Sequence, residues 1–145
     1  MKTVAEFLSE TKIKVSPATF ALVGVSHQDW SRLIENPELS PGADAVFMIL
    51  RDDKEVTLLM QEEDWQRIRY AVRDAKVERE FRLLTLDLDL SWNVVGYLAR
   101  VTEILAAAEI PVGALSSFSR DHLFIKQQDL GKALRILGEH VSELC

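Results

Sequence analysis

The clearest hydrophobic pattern in the chain lies in its second half. Leu84, Leu86, Leu88 and Leu90 alternate with Thr85, Asp87 and Asp89, the period of a strand with one face buried and the other polar. After the connection SWNVV, an apolar stripe at helical spacing runs through Leu98, Val101, Ile104, Leu105 and Ala108 and stops before Pro111. Residues 112–118 and 122–126 predict two further strands. Leu130, Ala133, Leu134, Leu137 and Val141 trace a last helix, for which Asp129 supplies the start by cap or by dipole.

The first half repeats much of this order. Thr3 and Glu6 have the spacing of a capping box, and Val4, Phe7 and Leu8 fall on one face of a short opening helix. Residues 20–25 read as a buried strand, and Trp30, Leu33 and Ile34 as a short helix ended by Asn36 and Pro37. A loop over 38–44 leads on. AVFMILR and EVTLLMQ flank Asp52, Asp53 and Lys54, the length of a hairpin connection. Trp65, Ile68 and Val72 mark an amphipathic helix over 62–74, and KVERE reads as a junction.

These orders predict an α+β chain of two ferredoxin-like units (βαββαβ-related), with antiparallel sheets and helices on one face. Strand, helix, strand, strand, helix is one strand short of such a unit, and a neighbouring segment can lend it. The boundary is expected near residues 75–81, giving a degenerate unit at 1–75 and a second unit at 76–145.

A net charge of -6 and a pI near 5.1 supply no basic field for phosphates, so nucleic acid is not an expected partner. Cys145 is the only cysteine, which rules out an internal disulfide and favours a reducing cytoplasm. The N-terminus lacks the apolar core of a signal peptide, and Glu109 and Pro111 interrupt the longest apolar run, so no membrane association is expected.

Catalytic motifs are absent: there is no H-E-x-x-H, no C-x-x-C and no G-x-S-x-G, and Gly131-Lys132 lacks the earlier glycine of a phosphate loop. Asp87 and Asp89 share a strand face, but a solvated face opposite the leucines explains them without an acid–base role. His27 beside Asp29 has no companion at ligand spacing, so neither a metal nor a cofactor is expected. Trp30, Trp65 and Trp92 lie on or beside apolar stripes and are read as core or interface. Two places keep a binding role open. Residues 91–96, SWNVVG, join a strand to a helix whose first amides and dipole suit an anion, with Gly96 allowing close approach or merely relieving crowding. Asp121, at the turn between two strands, can accept bonds from an ammonium group or from nearby backbone.

The segment GYLARVTEILAAAEIPVGALSSFSRDHLFIKQQDLGKALRIL resembles the ACT domain, particularly that of small tandem ACT proteins, and PGADAVFMILRDDKEVTLLM looks like the strand pair of a shortened first ACT unit. The resemblance implies a non-enzymatic regulatory protein that holds a free amino acid at the seam between ACT units. It places the ligand carboxylate at the amides of Asn93, Val94, Val95 and Gly96 and the ammonium group at Asp121, with Ser116, Ser117 and Phe118 lining the approach. Arg120 stands where related sequences often carry threonine, which fits a pocket closed by its own side chain. A homodimer and a regulated enzyme are the implied partners. The alternative is a protein-interaction or oligomerisation module that docks on an enzyme or transporter and binds no metabolite.

Overall fold

The structure is a computed structural model and describes residues 1–40, 42 and 45–145; three positions of the expected 38–44 loop, Pro41, Ala43 and Asp44, lie outside the described residues. Five helices and seven strands are formed among these residues: α1 Val4–Glu10, β1 Lys12–Val25, α2 His27–Ile34, β2 Met48–Arg51, β3 Val56–Gln61, α3 Glu62–Ile68, β4 Lys76–Asp87, α4 Tyr97–Ala107, β5 Gly113–Ser116, β6 Asp121–Lys126, α5 Leu130–Leu137 and β7 Glu143–Leu144. The architecture is α+β and ferredoxin-like.

Two compact units result, and they are not consecutive in sequence. One comprises Met1–Pro17 with Arg82–Cys145, the other Ala18–Phe81. The division into 1–75 and 76–145 differs because β1 and β4 are long strands, each giving one half to either unit.

In the unit 18–81 the strand order is β2-β3-β1-β4, with β3 antiparallel to both β2 and β1. Its chain order, strand, helix, strand, strand, helix, strand, is that of a ferredoxin-like unit. Val23, Leu58, Met60, Trp65 and Ile68 are buried in its core. The helix predicted over 62–74 ends at Ile68 and passes into a 3-10 turn at Arg69–Ala71. Asp29, in the first turn of α2, is only 2% exposed; Oδ2 accepts the backbone N–H groups of Arg73 at 3.3 Å and Asp74 at 3.5 Å, and Oδ1 pairs with Arg32.

In the other unit the order is β1-β4-β6-β5, with β7 parallel to the start of β1. The strand missing from the order of the second half is therefore lent by residues 12–17. Leu84, Leu86, Leu123 and Ile125 from the strands meet Val101, Leu105, Ala133 and Leu137 from α4 and α5, and Leu8 of α1 joins them. Thr3 caps α1 as the sequence predicts, accepting the Glu6 N–H at 3.2 Å. KVERE is not a junction: it is the first part of β4, and Glu80 within it takes a left-handed φ of 65°. Asp129 precedes α5 without a side-chain cap bond, so its contribution is through charge at the helix start.

Candidate functional site

The path from β4 to α4 builds one wall of a cleft. The Val94 N–H donates to the Ser91 carbonyl at 3.1 Å and the Asn93 N–H to Ser91 Oγ at 3.4 Å, so the amides of both residues are taken up inside the loop. Gly96 follows with φ 91°, a left-handed conformation that favours glycine. The first bond of α4 runs from the Arg100 N–H to the Gly96 carbonyl at 3.0 Å. The amides of Tyr97, Leu98 and Ala99 thus precede the intrahelical ladder, with neither a capping side chain nor an acidic residue in the first turn. Positive partial charge concentrates there.

The β5–β6 hairpin builds the facing wall. Ser116 and Asp121 are cross-strand partners, and Ser116 Oγ donates to Asp121 Oδ1 at 2.6 Å. The Ser117 N–H donates to the Arg120 carbonyl at 2.9 Å and closes the turn, while the Leu90 N–H reaches the Ser119 carbonyl at 3.4 Å. Glycine at 113 is needed for this hairpin: a Cβ there would stand 2.0 Å from the Phe124 ring on the opposite strand.

Between the walls lies a cleft of about 1090 Å³. Of the residues singled out in the sequence, Val94, Gly96, Ser116, Ser117, Phe118 and Asp121 line it, and Asn93 and Val95 do not. Sequence reasoning missed Leu90, Trp92 and Leu98, among others on the lining, while Arg120, singled out as a side chain that closes the pocket, does line it. Trp92 sits beside predicted positions and was within reach of the motif. Leu90 and Leu98 carried only strand and helix periodicity. Of the tryptophans read as core or interface, Trp65 is buried and Trp92 is 98% exposed, so Trp92 is not core.

The charges around the cleft are paired. Arg120 Nη1 lies 2.8 Å from Asp87 Oδ1, and Lys14 Nζ lies 3.0 Å from Asp87 Oδ2. Arg120 therefore turns toward Asp87. Bonds first from Arg120 and then from Lys14 hold the Asp87 carboxyl below its ordinary value of 3.8. A depressed carboxylate stabilises the fold above the unfolded value and loses that effect as pH falls through the folded one. Asp87→Asn is accordingly expected to lower the melting midpoint at pH 7, with the difference from wild type fading well below pH 3.8. An equal difference at both pH values would show that Asp87 acts through packing.

His122, the second residue of β6, braces the turn of the hairpin. Ser117 Oγ–H donates to the Arg120 carbonyl at 3.1 Å, so Ser117 accepts from His122 Nε2 at 3.1 Å, and His122 Nδ1 accepts from the Thr85 hydroxyl at 2.9 Å. That proton placement leaves no basic nitrogen facing Ser117, and the pair is a brace for the turn. Burial, followed by Arg120, pulls the imidazole below its ordinary value and favours this neutral form. Tyr97 is buried beneath the cleft, its hydroxyl 2.7 Å from Thr11 Oγ1; burial pushes the phenol up, with Asp121 adding to it. His27 Nε2 donates to the Asp52 carbonyl at 2.8 Å, and no cluster of three metal-ligating residues occurs among the described residues. No helix among them is long and apolar enough to cross a membrane.

A ferredoxin-like α+β unit with a cleft between its strand-to-helix loop and its last hairpin is the class of structure seen here. Residues 76–139 match the family model of the ACT domain. Similar solved structures include a protein from Agobacterium tumefaciens, at 18% identity over 94% of this chain and 92% of that one with a TM-score of 0.73. A protein of unknown function from Vibrio cholerae, described as a possible transport protein, is similar at 21% identity over 94% of each chain with a TM-score of 0.66. The regulatory subunit of aspartate kinase from Thermus flavus is similar at 9% identity over 91% of this chain and 98% of that one, with a TM-score of 0.72. At these identities the likeness is one of fold. No curated protein matches the chain.

Proposed function

We propose that this chain is a non-enzymatic regulatory protein that binds a free amino acid in the cleft between Gly96 and Asp121. The observation that carries the reading is the opposition of two unlike ends across one cavity. The uncapped start of α4 suits a carboxylate, and Asp121 suits an ammonium group, since Ser116 occupies only Oδ1 and leaves Oδ2. The ACT domain at 76–139 and the likeness to a regulatory subunit of aspartate kinase support a regulatory role; an enzyme as the controlled partner and a homodimer as the working form are part of the proposal. The tandem organisation, with residues 18–81 contributing a second ACT-like unit, belongs to the same proposal.

Thermal denaturation against each common amino acid at millimolar concentration tests it. A ligand at 100 times its dissociation constant stabilises the fold by about 2.7 kcal/mol. Asp121→Asn, which keeps the Ser116 bond but removes the charge, is expected to weaken that ligand about tenfold, the scale of one charge-assisted bond. A panel without any response overturns the proposal. It would favour the second reading, a docking module, which draws on the exposed Trp92, Val95 and Phe118 beside the cleft.

A further inference from the structure

We infer that the cleft selects amino acids with a large apolar side chain, aromatic or branched aliphatic. The inference rests on the amino-acid reading of this same site and narrows it by charge, apolar surface and size.

Charge excludes two classes. Among the described residues Arg120 is the one cationic side chain on the lining, and it already faces Asp87, whose second oxygen is held by Lys14. An acidic side chain approaching Arg120 would meet both Asp87 and Asp121, and binding it would require breaking an existing pair. A basic side chain fails for the opposite reason. Among the described residues Asp121 is the only carboxylate on the lining, and one carboxylate cannot serve both the α-ammonium and a second cationic group at the far end of a side chain.

Among the described residues, two of the four serine hydroxyls on the lining are already committed. The Ser116 hydroxyl donates to Asp121, and the Ser117 hydroxyl donates to the Arg120 carbonyl while accepting from His122. The large apolar part of the lining is formed by Leu90, Trp92, Val94, Leu98 and Phe118, beside Ser91 and Ser119. Trp92 and Phe118 are both on the lining and almost fully exposed, so neither ring is committed to packing within the chain. Size completes the case, because a cleft of about 1090 Å³ leaves a glycine, alanine or serine side chain with little to touch.

Isothermal titration of the full chain with L-leucine, L-phenylalanine and L-tryptophan, set against L-aspartate, L-lysine and L-serine, tests the selection. The apolar set is expected to bind at least tenfold more tightly. Trp92→Ser and Phe118→Ser, whose exposed side chains contribute little to folding, are each expected to weaken the best apolar ligand at least fivefold. Equal or tighter binding of L-aspartate, L-lysine or L-serine would overturn the selectivity while leaving the amino-acid reading standing. Unchanged affinity in both serine variants would overturn it as well. A chain that binds none of the six, and no other amino acid, fails at the earlier reading and takes this inference with it.

Discussion

Asp29→Ala is expected to destabilise the chain by about 2–4 kcal/mol, the largest loss of stability we foresee from removing one polar side chain. The carboxylate is almost wholly buried and satisfies the N–H groups of Arg73 and Asp74 across more than forty residues of sequence. Alanine leaves those donors without an acceptor and opens a small void. The bond to Arg32 adds less, because that guanidinium is 40% exposed and water replaces much of what is lost. Asp29→Asn keeps a carbonyl for the two amides and should recover about half of the deficit. Urea denaturation of the three proteins decides the matter: a loss below about 1 kcal/mol for alanine would mean that the 73–74 amides find water at no cost.

Asp29 also shows where local pattern ends. Its neighbours predict a helix start, and the Ser26 Oγ that accepts the Asp29 N–H at 3.0 Å belongs to the same local motif. Its bonds to residues 73 and 74 have no local signature, because they depend on how the chain returns. Elements with strong periods were legible. The Leu84–Leu86 alternation, the Thr3 cap of α1 and the stripe through Val101 and Leu105 all stand in the structure where the spacing puts them.

Residues 12–17 escaped notice for a different reason. Ile13 is buried between exposed Lys12 and Lys14, a strand period, but Pro17 reads as a breaker while β1 in fact runs through it. KVERE lost its period because its charged side chains face solvent and Glu80 interrupts the alternation with a positive φ. Those two missed segments make up the halves of β1 and β4 that divide the chain into units interleaved in sequence. In the cleft, residues with chemical character were legible and those with only packing character were not: Gly96 and Asp121 stand out in any reading, while Leu90 and Leu98 are known only from what they face.

Gly96→Asp is expected to abolish the amino-acid response of the chain, a loss of at least about a hundredfold in affinity, while leaving the fold in place. Position 96 has φ 91°, which costs an L-residue roughly 1–2 kcal/mol, and aspartate tolerates this region better than alanine does. The nearest foreign atom to a Cβ at 96 is Val4 Cγ2 at 3.6 Å, so no clash adds to the strain. A carboxylate there gains from the positive end of α4, which has no acidic group of its own in its first turn. It would occupy the place proposed for the ligand carboxylate and repel it. Stability and binding therefore move differently: Gly96→Asp should melt no lower than Gly96→Ala, yet only the alanine variant should keep a ligand-induced rise in midpoint. If the aspartate variant responds to amino acids as wild type does, the ligand carboxylate is not held at the start of α4, and the site must be sought elsewhere on the chain.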